Sequence, residues 1–274
     1  MPQQRQLSDE LTRLPAQPLT SMRILKLGEQ AETSVGELAR IVEADPVLSA
    51  RVIRLANAPY YGFSGRISSA SRAVVLLGFD TVRALAVGAA VSLVDGDVDL
   101  GPEGLWTHSV AAAAASAVVA RRLGSPAQDA FSAGLLKEVG VSLLHRRDPA
   151  VYGELLRTHG RHAEALLRAE QDAFELSHAV AGARALEAWG FPRQFVHAVA
   201  SHHQPLSRTA GTLARIVQVG QALAMTAYPW ELHPPTSDVG EMLHAMGLNP
   251  GSRGVLLREV EAEVNHVVDF LAAA

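Results

Sequence analysis

The stretch SVGELARIVEADPVLSARVIRLAN, residues 34–57, decides the fold class because it carries two sets of helix punctuation in succession. Ser34-Val35-Gly36-Glu37 reads as a capping box, in which the serine hydroxyl takes up an orphan backbone N–H and the glutamate reaches back. Leu38, Ile41 and Val42 follow on one face. Asp45-Pro46 then sets a good N-cap before a proline, whose missing N–H matters least in a first helical turn. Leu48, Val52 and Leu55 supply the apolar stripe of this second helix.

The same punctuation recurs along the chain. Asp80, after a break at Gly78, reads as the cap of another helix. Gly124 stops a helix over 103–123, and Ser125-Pro126 and Asp148-Pro149 start the next ones in the cap-then-proline manner. Gly190 and Pro192 separate helices over 177–189 and 193–202. A helix near 209–227 ends before Pro229, and PWELHPPTS (229–237) leads into segments near 238–246 and 252–272. Strand alternation is nearly absent, so the expected fold is all-α. The turn-like, acidic stretch DGDVDLGP (95–102) is expected to join an N-terminal helical lobe to a second one. Five alanines, 111–115, leave no bulk to hold a neighbouring helix away.

Of 274 residues, 48% are hydrophobic and 19% charged, enough to bury a sizeable core. A net charge of −4 argues against a general nucleic-acid binder, which would show a basic excess. The most apolar run, VAAAAASAVVA (110–120), falls short of the roughly 18 residues of a membrane span. The N-terminus lacks the apolar core of a signal peptide, so a cytoplasmic location is expected. With no cysteine there is no disulfide, thiolate metal site or cysteine nucleophile.

Several longer segments carry a resemblance. They are LTRLPAQPLTSMRIL (11–25), ELARIVEADPVLSARVIRLANAPYYG (37–62), ISSASRAVVLLGFDTVRALAV (67–87), WTHSVAAAAA (106–115), FSAGLLKEVG (131–140) and SHAVAGARALEAWGFPRQFVHAVASHHQP (177–205). Together they resemble the HDOD family, the HD-related output domains of bacterial signalling proteins, a degenerate branch of the HD superfamily of metal-dependent phosphohydrolases. The resemblance spans about 11–205. It implies an HDOD domain over 7–205, made of an N-terminal helical lobe (7–95) packed against an HD-like helical bundle (103–205). Helices over 206–274 would complete or extend that bundle.

Catalytic HD domains carry a His, a His-Asp doublet and a later Asp. On this resemblance His108 matches the first His, Lys137-Glu138 stand where the doublet would be, and Gln221 falls near the last Asp. His178, His202 and His203 match positions that HD proteins with a second metal use. A charged lysine cannot ligate a metal and repels a divalent cation, so the expectation is no catalytic residues, no bound metal and no cofactor. Lys137 and Glu138 are further expected to replace the lost ion structurally, each pairing with groups on adjacent helices and not needing to bond the other.

The function implied is that of a non-catalytic signalling regulator or adaptor, acting through protein partners as a stand-alone domain. Two alternatives are a sensor that binds a nucleotide or other anion in the degenerate pocket, and a divergent phosphohydrolase. Tyr60, Tyr61 and Phe63 in NAPYYGF (57–63), with Arg66, offer a recognition surface; the plainer reading is a loop held to the core by its aromatics. Arg66, Arg72 and Arg83 could form an anion site or a solvated face. Arg121-Arg122 and Arg146-Arg147 end helices, where cations complement the dipole.

Overall fold

The structure, a computed structural model, describes residues 20, 23–24, 27, 34–57, 66–92, 104–228 and 238–272. Among these, every regular element is helical. The N-terminal helices are α1 (Val35–Glu43), α2 (Pro46–Asn57), α3 (Ala70–Leu77) and α4 (Phe79–Ser92). The central bundle comprises α5 (Leu105–Arg122), α6 (Ala127–Leu136), α7 (Val139–Arg147), α8 (Pro149–His159), α9 (Ala163–Phe174), α10 (His178–Ala188), α11 (Arg193–Ser201) and α12 (Thr212–Ala227). Two further helices, α13 (Val239–Ala245) and α14 (Arg253–Ala272), follow.

The capping signals hold where a side chain can reach the first turn. Ser34 Oγ accepts from the Glu37 N–H at 3.1 Å, Asp45 Oδ1 from Leu48 at 3.0 Å, and Asp148 Oδ1 from Val151 at 3.0 Å. Two signals are corrected. Asp80 lies inside the first turn of α4, where it faces Arg83 at 3.9 Å instead of capping. At the start of α6 the N-cap position is Pro126 itself, and no side chain caps it. Asn57 does a different job: its side-chain amide donates to the Ile67 carbonyl at 2.6 Å and accepts from the Ile67 N–H at 2.9 Å, tying the chain before α3 back to the end of α2.

Helix α5 is the axis of the molecule and is buried nearly all round. Ala113 and Ala117 face one hydrophobic core, which runs from Ile24 and α1–α4 through α6–α12. Ala111, Ala112, Ala114, Ala115, Val118 and Val119 face a second core, shared with α12, α13 and α14. The alanine run lets glycine-bearing helices close in on it. A Cβ on Gly134 of α6 would stand 2.8 Å from Ala113 Cα, and one on Gly220 of α12 would stand 2.6 Å from Ser116 Cα. Arg121 and Arg122, at the end of α5, pair with Glu263 and Glu259 of α14.

Arg83 links the N-terminal helices to the bundle. Its Nη2 donates to the Trp189 carbonyl at 3.1 Å, and its guanidinium lies 3.6 Å from the Phe191 ring centroid, a buried cation–π contact. It is therefore not part of an exposed anion site, whereas Arg66 and Arg72 are exposed. Tyr60, Tyr61 and Phe63 lie outside the described residues, as do the stretches 95–102 and 229–237.

Candidate functional site

Helix α6 ends at Leu136 and α7 begins at Val139, so Lys137 and Glu138 form the corner between them. Lys137 keeps helical torsions, while Glu138 opens to φ −98°, ψ 13°. This corner brings the two neighbouring side chains together: Lys137 Nζ donates to Glu138 Oε1 at 2.7 Å. The expectation favours partners on adjacent helices over a bond between the two; that bond forms as well, because a corner and not an unbroken helix joins them. The expected second partner is present. Lys137 Nζ also lies 2.7 Å from Nε2 of His108 on α5. Lys137 and Glu138 are 0% and 1% exposed, so both charges are fully desolvated.

On the other side of Glu138, three imidazoles converge. His178 opens α10, and His202 and His203 follow the end of α11. His178 Nε2 stands 3.3 Å from His202 Nε2 and 2.8 Å from His203 Nε2. Glu138 Oε2 lies 3.5 Å from His178 Nε2 and 3.7 Å from His202 Nε2. The approach of α7 to α10 depends on Gly140, where any Cβ would fall 1.9 Å from the His178 carbonyl oxygen.

The far ring nitrogens are held by acceptors. His178 Nδ1 contacts both carboxylate oxygens of Glu170 at 2.8 Å, and His202 Nδ1 donates to the Val199 carbonyl at 2.6 Å. Glu170 also accepts from the His178 backbone N–H at 2.8 Å and from the Tyr152 hydroxyl at 2.6 Å. These outer bonds fix the tautomers, leaving the Nε2 lone pairs of His178 and His202 turned into the cluster.

Burial and charge compete throughout. Desolvation lowers the Lys137 ammonium, and Glu138 partly restores it. Burial works to raise Glu138, but Lys137 and then His202 hold its carboxyl well below the ordinary carboxylate range. Burial opposes protonation of His178, yet the Glu170 carboxylate leaves it raised, while His202 is lowered by its desolvation. The Tyr152 phenol is pushed well up by burial and by Glu170.

Six of the seven residues expected at the degenerate HD site thus come together: His108, Lys137, Glu138, His178, His202 and His203. Gln221 does not join them; among the described residues no hydrogen bond links it to the cluster, and its Oε1 is buried without a partner. One turn earlier, Gln218 Nε2 reaches the carbonyl of Ser201, next to His202, at 2.6 Å. Tyr152 and Glu170 escaped the sequence reading. Glu170 had a signal: it sits between Leu166 and Phe174 at four-residue spacing, a carboxylate on the buried stripe of α9.

Tested against a metal ion, the two halves of the site differ. Around His108 the ammonium of Lys137 already stands at hydrogen-bond distance, and the donor set does not fit a cation. Glu138, His178, His202 and His203 do fit: one donor atom from each lies within 4.8 Å of the others.

The arrangement is that of an HD-like helical protein, and the comparisons agree. The HDOD domain model matches residues 14–205, and the chain belongs to that family. Among solved structures it resembles a provisionally named phosphohydrolase from Shewanella amazonensis, at 24% identity over 97% of both chains with a TM-score of 0.70. An HDOD domain protein of unknown function from Geobacter sulfurreducens is 23% identical, over 98% of this chain and 96% of that one, with a TM-score of 0.61. The MmoQ response regulator of Methylococcus capsulatus is 28% identical, over 89% and 97%, with a TM-score of 0.51. No curated protein matches the chain. Family membership and the likeness to a response regulator fit a signalling role. Among the described residues no helix is long and apolar enough to cross a membrane.

Proposed function

We propose that the chain is a non-catalytic regulator that relays signals through contacts with protein partners. The observation that supports this most is the Lys137 ammonium, bound at 2.7 Å to both His108 and Glu138 where a catalytic HD site has its central doublet. Hydrolysis at such a site needs an ion with an open coordination position and a water beside a base. Here the charge is neutralised within the protein, and the groups around it are buried. The same pairing weakens the anion-sensor alternative, because the cation that would attract a phosphate is already engaged by Glu138.

The test is an assay with manganese, iron or zinc on nucleotides and cyclic dinucleotides. Turnover at background is expected. Turnover above background that disappears in His178→Ala would overturn the reading.

A further inference from the structure

Three helices that reach the histidine cluster at one end reach the seam with the N-terminal helices at the other. Helix α6 stops just before Lys137, and its first turns meet α3 and α4. Gln128 Nε2 donates to the Leu76 carbonyl at 2.9 Å, and Ser132 Oγ to Thr81 Oγ1 at 3.2 Å. Helix α10 starts at His178, and the Trp189 carbonyl at its end accepts from Arg83 of α4. Helix α11 begins beside that joint, where Gln194 Nε2 donates to Asp129 Oδ2 at 3.1 Å, and it ends at His202. The 11 residues of α10 span about 16 Å as one rigid rod, so a shift at its first residue arrives at its last.

Arg83 sits at that joint with two places to go. It is 2% exposed, and both its bond to the Trp189 carbonyl at 3.1 Å and its stacking on Phe191 at 3.6 Å cross the seam. A carboxylate, Asp80, stands one turn back on its own helix, with Oδ1 3.9 Å from Arg83 Nη1. That is beyond hydrogen-bond length, although a charge-assisted bond to a carboxylate is about twice as strong as a neutral one. Burial raises the Asp80 carboxyl, Arg83 opposes this, and Asp129 raises it further. The docked end of α10 thus draws the guanidinium away from its nearest carboxylate. When α10 withdraws, Asp80 receives the cation, and no unpaired charge is left in the interior.

We propose that Arg83 is a two-position latch between the histidine cluster and the N-terminal helices, docked on the end of α10 as seen here and folded back on Asp80 when the start of α10 shifts. That start has no slack. A Cβ on Gly140 of α7 would fall 1.9 Å from the His178 carbonyl oxygen, and His203 Nε2 stands 2.8 Å from His178 Nε2. A change that reshapes the cluster therefore moves α10, and one side chain passes the movement to α4. The latch gives the proposed regulator its moving part and rests on that reading for its use alone. The regulator is judged by turnover and the latch by amide exchange, so the two fail separately.

Hydrogen–deuterium exchange on peptides covering 185–191 is the test, because the N–H groups of Trp189, Gly190 and Phe191 close the end of α10. Arg83→Lys keeps the charge but loses the fork and the stacking, and exchange there should rise about fivefold with the helical circular dichroism retained. Asp80→Asn removes the second seat, so the latch stays docked and the same amides should exchange about threefold more slowly. His203→Ala should speed them about threefold in the otherwise wild-type protein and clearly less when combined with Asp80→Asn. Unchanged exchange in a folded Arg83→Lys overturns the latch. Unchanged or faster exchange in Asp80→Asn overturns its second position, since a purely structural pair would loosen when broken. A His203→Ala effect that is absent, or equal in both backgrounds, overturns the link to the cluster. The Asp80→Asn and His203→Ala results decide both claims even where Arg83→Lys does not fold.

Discussion

At Lys137 the chain carries a lysine in its interior, and the consequences are energetic before they are functional. Both of its visible partners are buried, and truncation would leave Glu138 charged and desolvated beside three imidazoles. Breaking a buried pair on one side costs on the order of 3–5 kcal/mol. Urea unfolding of Lys137→Ala should show a loss of that size, against about 0.5 kcal/mol for an ordinary surface change. A small value would mean that Lys137 reaches solvent and is free for a ligand. Glu170→Gln makes a second residue-scale test. It keeps the shape but removes the charge that holds His178 and shares the Tyr152 hydroxyl. Urea unfolding of this variant is expected to show a loss of about 1.5–3 kcal/mol, the range for a buried hydrogen bond to a charged group.

Between elements, the site depends on helices that meet without bulk. Gly140→Ala would drive a methyl into the His178 carbonyl, and that carbonyl belongs to backbone that cannot rotate away. The loss is expected to reach or exceed the roughly 1–3 kcal/mol of an overpacked core. It should be visible as a lower urea midpoint with the slope unchanged.

For the molecule as a whole, signalling requires a face that a partner can read, and hot spots on such faces are enriched in aromatic and arginine side chains. Arg66 is exposed beside the NAPYYGF stretch, while Arg83 is spent on the contact with Trp189 and Phe191. Arg66→Ala and Tyr61→Ala are therefore expected to weaken capture of the physiological partner, measured on protein that retains its helical circular dichroism. If both leave capture intact while a folded His202→Ala abolishes it, recognition runs through the histidine cluster instead.

The helical class and the caps at Ser34, Asp45 and Asp148 were legible in the sequence itself, and six site residues through its resemblance to the HDOD family. These features rest on local spacing and on motifs that survive without knowledge of neighbours. What lay beyond it depended on which side chains meet. Ser125 and Asp80 looked like caps, because a cap is defined by where the helix begins and packing moved that point. The bond between Lys137 and Glu138 was hidden because a corner, not a helix, joins them. Glu170 carried its signal in the stripe of α9, but its partner is eight residues on, across a turn. Whether Glu138, His178, His202 and His203 converge is a matter of ångströms among the corner before α7, α10 and the end of α11. Only tertiary packing, here through glycine contacts against a run of alanines and the His178 carbonyl, sets those distances.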